Sequence, residues 1–128
     1  LDSVQVSPTA DGMSMATMDK DRPNLLVAPL RTEGLTVRSA TAQEEPELLG
    51  WSLYGKEREP ATTIRHIREG DGAVQFVTLL LPLREGTPPS EVSVEWDGNE
   101  ATLDFGDGRE VAVIVPDDPA EELAVSGI

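Results

Sequence analysis

A chain of 128 residues has room for one sizeable core and not for two independent ones. Its 24 acids against 10 bases leave a formal charge of −14, a field that repels nucleic-acid backbones, anionic lipid and other polyanions. The absence of Cys excludes disulfides, zinc–thiolate sites and thiol nucleophiles together, and no segment approaches the ~18 continuous apolar residues of a membrane span.

Neither nucleic acid nor membrane is therefore an expected partner, and the acidity itself reads as a solvated surface. Leu1–Val6 has neither the basic start nor the apolar run of a signal peptide, and with no initiating Met the chain reads as a mature or excised fragment.

Short period-two segments separated by turn residues run along most of the chain, which predicts an all-β, antiparallel β-sandwich of about eight or nine strands ending in a meander. In chain order the strands are Ser3–Ser7, Ser14–Met18, Leu25–Pro29, Leu35–Ser39, Thr62–Arg68, Val74–Leu83, Glu91–Trp96, Glu100–Phe105 and Arg109–Val115. In Val74–Leu83 apolar residues fall on both alternating faces, which predicts a central strand covered on two sides, with Pro82 stopping the ladder.

The last three strands carry the clearest alternation. Val92, Val94 and Trp96 interleave with Ser93 and Glu95, and Ala101, Leu103 and Phe105 with Thr102 and Asp104. Asp97-Gly98-Asn99 and Gly106-Asp107-Gly108 tolerate positive φ and join them as hairpins.

Two stretches have helical potential, Ala42–Leu49 and Asp118–Val125, the second with Asp117 and Pro119 at its start. The sandwich is assigned to residues 1–116, and 117–128 to an acidic tail that frays rather than docks.

Little in the sequence supports chemistry. His66 is the single His, so no Ser/His/Asp triad and no two-His metal site can form. It shares a strand face with Ile64 and Arg68, where a structural imidazole is expected. The carboxylates come as runs, Glu44-Glu45, Asp117-Asp118 and Glu121-Glu122, rather than as a pair across an apolar cleft. Asp97-Gly98-Asn99-Glu100 and Asp104 with Asp107 offer oxygen ligands but lack the calcium-loop spacing, so hairpin turns account for them. Catalytic residues, metal ligands and cofactors are therefore expected to be none.

The long segment Ala40–Ala61 holds Trp51 and Tyr54, two of five aromatic residues. Three roles remain open for these rings: stacking on a sugar, plugging the edge of the core, or packing on a neighbouring domain. Arg31, Arg38, Arg58, Arg65 and Arg68 are the available cations. Convergence of several beside this segment would make a local binding site and scatter would make a scaffold; scatter is the expectation.

Leu25-Leu26-Val27-Ala28-Pro29-Leu30, Glu33-Gly34-Leu35, Gly50-Trp51-Ser52-Leu53-Tyr54-Gly55, Glu59-Pro60-Ala61 and Phe76-Val77-Thr78-Leu79-Leu80-Leu81-Pro82 follow one another in an order that resembles the C-terminal β-sandwich of heparinase II/III-like polysaccharide lyases. Trp51 and Tyr54 lie closer together than in that family, without its Ser-Pro insertion.

The resemblance implies a non-catalytic portion of a bacterial, secreted or periplasmic lyase. Its catalytic helical toroid would be a separate domain of the same parent chain, cleaving uronate-containing polysaccharide by β-elimination. Trp51, Tyr54, Arg58 and Arg65 become candidates for contact with carbohydrate or with that domain. The alternatives are a carbohydrate-binding module that uses the loop aromatics, and a structural or adhesion β domain.

Overall fold

The structure, a computed structural model, describes residues 6–8, 12–53, 56–88, 92–118 and 120–127. The fold is all-β, and among the described residues there is no helix. Two four-stranded antiparallel sheets form the body. The first has the order β1 (Val6–Pro8), β2 (Met15–Thr17), β3 (Asn24–Pro29), β8 (Thr78–Leu83), and the second β12 (Ala124–Gly127), β11 (Glu110–Ile114), β10 (Glu100–Asp104), β9 (Ser93–Asp97). Between β3 and β8 the chain makes a separate two-stranded ribbon of β4 (Leu35–Thr41) and β7 (Thr62–Arg68). A short ladder of β5 (Trp51–Ser52) and β6 (Glu59–Pro60) lies inside it.

The core lies between the two four-stranded sheets, as strand alternation requires. Leu26, Ala28 and Leu83 present one face of the first sheet, with Leu79 and Leu81 beside them, and Val92 and Val94 pack against this group from the second. Leu30, Val77 and Leu79 meet Ala101, Leu103, Val113 and Val115. Leu26, Leu103 and Val115 are the largest side chains wholly withdrawn from water, and each such burial is worth ~1.5–3 kcal/mol of transfer free energy.

The meander follows its turn chemistry. Glu100 pairs with Asp97 across the two-residue turn Gly98-Asn99, with Gly98 at φ 57°, and Asp104 pairs with Glu110 across the turn that contains Gly106 and Gly108. Asp104 accepts from the Gly106 N–H at 2.8 Å, and Asp107 accepts from the Arg109 N–H at 3.1 Å. These two carboxylates thus satisfy turn amides, the hairpin role expected of them.

Three expectations are corrected. Val74–Leu83 is not a central strand: the ladder starts at Thr78, and β8 pairs with β3 alone among the described strands. Phe76 and Leu80 are 54% and 62% exposed. An apolar run does not by itself imply burial on both faces, and Pro82, which donates no ladder bond, is tolerated because β8 is an edge.

Ala42–Leu49 is not helical either. Ala42 sits at φ 52°, and Gln43 and Leu49 exchange backbone hydrogen bonds of 2.9 and 3.1 Å as an antiparallel bridge, closing the segment into a loop.

In Asp118–Val125, the Asp118 carboxylate accepts from the Ala120 N–H at 2.9 Å and the Asp118 carbonyl accepts from the Glu121 N–H at 3.0 Å, which makes a turn. Residues 124–127 then return as β12, pairing with β11 at four positions rather than fraying. Pro119 lies outside the described residues.

Candidate functional site

The β4–β7 ribbon positions the candidate site. Its register sets Leu35 opposite Arg68, Val37 opposite His66 and Ser39 opposite Ile64 on one face, and Arg38 opposite Arg65 and Ala40 opposite Thr63 on the other. The first face turns inward at the Leu35 and Val37 end, while Ser39 is exposed. Leu35 is buried, and His66 Nε2 lies 3.0 Å from the Met13 carbonyl oxygen. A carbonyl only accepts, so Nε2 carries the proton and the one imidazole is held as a structural tie.

Arg68 ends β7 and works as a clasp. Its guanidinium donates to the carbonyls of Gln75 (3.2 Å), Arg31 (3.3 Å) and Glu33, fixing the turn after β3 and the loop before β8. Arg31 in turn lies over the Trp96 ring, 5.4 Å from its centroid, and donates to Gln75 Oε1 and Asn99 Oδ1 at 3.2 Å and to Asp117 Oδ1 at 3.4 Å. The opening here is about 530 Å³, but the Nη groups of its two guanidiniums are engaged with internal partners.

The outward face of the ribbon is different. There Arg38, Arg65 and Thr63, with Gln43, Glu47 and Leu49 from the loop, line a cavity of about 230 Å³. The loop is seated by Gly50, whose carbonyl accepts from Ala42 N–H (2.9 Å) and Ala61 N–H (2.8 Å), and whose own N–H donates to Thr63 Oγ1 (3.2 Å). Only glycine fits: φ is 72°, and a Cβ would stand 2.5 Å from Ala40 O and 2.7 Å from Thr41 Cα.

Glu47 meets Arg65 fork to fork, with both oxygens at 3.0 Å from Nη1 and Nη2. The hydrogen bonds from Arg65, and then its charge, hold the Glu47 carboxyl below its ordinary range. Directly across the ladder Arg38 is exposed and has no hydrogen bond or ion pair among the described residues.

The sequence-derived candidates distribute unevenly over this geometry. Arg65 lines the cavity together with Arg38, so two cations converge beside the loop where scatter was expected. Trp51 is half-buried, and its indole N–H donates to the Gln43 carbonyl at 3.0 Å, so this ring pins the loop from beneath. Arg58 is exposed just before β6 and is not part of the cavity lining. Tyr54 lies outside the described residues.

Glu47 carries no sequence signal of its own as a site residue, and Arg38 stands out only as one of five available cations. Strand alternation puts Arg38 on one face and Arg65 on one face, but only the β4–β7 register reveals that they are opposite each other. Among the described residues no group of three or more His, Asp or Glu side chains is placed to hold a metal. No family model matches the chain, and neither a curated protein nor a solved structure matches it.

Proposed function

We propose that this chain is the non-catalytic C-terminal β-sandwich of a heparinase II/III-like polysaccharide lyase, supporting a catalytic helical toroid that cleaves uronate-containing polysaccharide. The observation that carries this reading is the way the Gly50-to-Ala61 segment folds. After the 42–49 loop it doubles back as the β5–β6 ladder, returns its Ala61 N–H to the Gly50 carbonyl at 2.8 Å, and enters β7. The resemblance assigns this segment to such a bridge between two strands and places a strand resembling Phe-Val-Thr-Leu-Leu after it; the Thr78–Leu80 part of that segment lies in β8, which supports the reading.

Two measurements test the reading. Incubation of the chain with uronate-containing polysaccharides is expected to give no unsaturated-uronate absorbance. The coding sequence upstream of residue 1 is expected to run into a long helical pattern carrying Tyr and His. Turnover by the chain alone, or an upstream sequence without that pattern, overturns the proposal.

A further inference from the structure

The cavity on the outer face of the β4–β7 ribbon holds an electrostatic arrangement that the fold does not require. Two guanidiniums stand directly opposite each other on adjacent antiparallel strands, Arg38 and Arg65, where Cβ atoms lie ~5 Å apart and like charges are destabilising. The chain relieves half of this. Glu47 reaches from the loop and spends both oxygens on Arg65, the geometry by which a guanidinium recognises a carboxylate. Arg38 receives no counterpart among the described residues, although the chain holds 24 acids.

The remaining lining suits more than a bare ion. Thr63 lines the same space, its hydroxyl oxygen accepting from the Gly50 N–H and its own O–H left to donate, with Leu49 and Ala40 as apolar lining. The Gln43 amide donates to Glu47 O at 3.0 Å, which leaves its side-chain oxygen as an acceptor. At about 230 Å³ the space is below the ~300 Å³ at which drug-sized pockets begin, so it takes a single small ring.

We propose that this cavity binds one carboxylate-bearing sugar residue, its carboxylate on Arg38, its hydroxyls on Thr63 and Gln43 and its CH face on Leu49. Glu47 acts as a built-in competitor that occupies Arg65 with a carboxylate of the same chemistry. The choice of a sugar acid rests on the polysaccharide reading above; the carboxylate site itself rests on the two arginines and Glu47.

The test is a titration of the chain with D-glucuronate, followed by amide and arginine side-chain NMR at about 0.15 M salt, where the repulsion of the acidic surface is largely screened. Glucose and acetate are run in parallel. The expected result is saturable shifts at Arg38, Thr63 and Gln43 with glucuronate, and weaker ones with either control.

R38Q is expected to bind about tenfold more weakly, the equivalent of 1.4 kcal/mol. E47Q is expected to bind several-fold more tightly, because it frees Arg65 to make a second charged contact. A purely structural role for Glu47 would not raise affinity.

Binding by R38Q equal to that of the parent chain, equal shifts from acetate and glucuronate, or no saturable shift in E47Q overturns the inference. These outcomes leave the lyase reading to its own tests. Conversely, glucuronate binding that persists in a chain whose upstream sequence has no helical pattern sinks that reading and keeps the site.

Discussion

Replacing Gly50 with Ala isolates what the loop costs to build. Two penalties meet at this residue. A side chain at φ 72° pays ~1–2 kcal/mol for the left-handed conformation. The new Cβ would also sit 2.5 Å from Ala40 O, 2.7 Å from Thr41 Cα and 2.8 Å from Ala40 C. All three atoms are backbone and cannot swing aside, so β4 or the loop must shift, at the ~1–3 kcal/mol typical of overpacking.

The two together predict a loss of about 2–5 kcal/mol. G98A supplies the control, because Gly98 also has positive φ, 57°, but nothing lies within 4 Å of its Cβ position. Urea denaturation of both variants beside the parent chain reads the difference as a shift in midpoint at constant slope. G50A is expected to be less stable than G98A by at least ~1 kcal/mol. Equal midpoints would refute the close approach of Gly50 to β4, and with it the seating of the cavity's loop.

Three further outcomes follow from the geometry. L103A, at a side chain 1% exposed, is expected to cost ~2–5 kcal/mol in the same denaturation experiment, whereas L80A, at 62% exposure, stays within ~0.5 kcal/mol. R31K keeps the charge but not the planar fork that covers Trp96 and reaches Gln75 and Asn99, so a loss of ~1–2 kcal/mol and a changed Trp96 fluorescence are expected; an unchanged midpoint would show that these Arg31 contacts contribute nothing. The Glu47 carboxyl, followed by carbon NMR, is expected to titrate below the ordinary glutamate range and to move up in R65M. Because its pKa is depressed in the fold, its contribution to stability is present above the ordinary carboxylate range and lost as pH falls through the depressed value, and added salt shrinks it.

The legible parts of the sequence were those where local chemistry and alternation agree. Gly98 and the Gly106/Gly108 pair fix both meander hairpins, because only such residues hold positive φ cheaply. Thr62–Arg68 forms a strand with the bounds its alternation gives. β12 was not legible, since all four of its residues are exposed and Val125 is 67% exposed. It is held by backbone pairing to β11, which leaves no hydrophobic pattern to read. β8 misled in the opposite direction: its Leu run is as apolar as that of a central strand, yet it stands at an edge with Leu80 in water. The cavity was hidden for a third reason, because the meeting of Arg38 and Arg65 depends on the register between strands separated by the whole 42–61 segment.

The two arginine pairs show how one chain can treat the same side chain in two ways. Arg31 and Arg68 lie where the sheets and the ribbon meet, and their Nη groups donate to Gln75, Asn99, Asp117 and backbone carbonyls. Their Nη groups are committed inside the fold, so the loss of either side chain is felt as lost stability. Arg38 and Arg65 lie on the outward face, where water can solvate a charge and stability does not demand a partner. The fold therefore gains little from setting them opposite each other, and electrostatics alone would separate them. With 24 acids in the chain, a carboxylate for Arg38 is not ruled out by composition. The sequence supplies one to Arg65 instead, from a loop whose glycine must approach β4 within contact distance. Pairing one arginine and leaving its neighbour open beside a Thr and a Gln is the arrangement of a carboxylate receptor half filled from within, and that is why E47Q, rather than any loss-of-contact variant, discriminates between a site and a decorated surface.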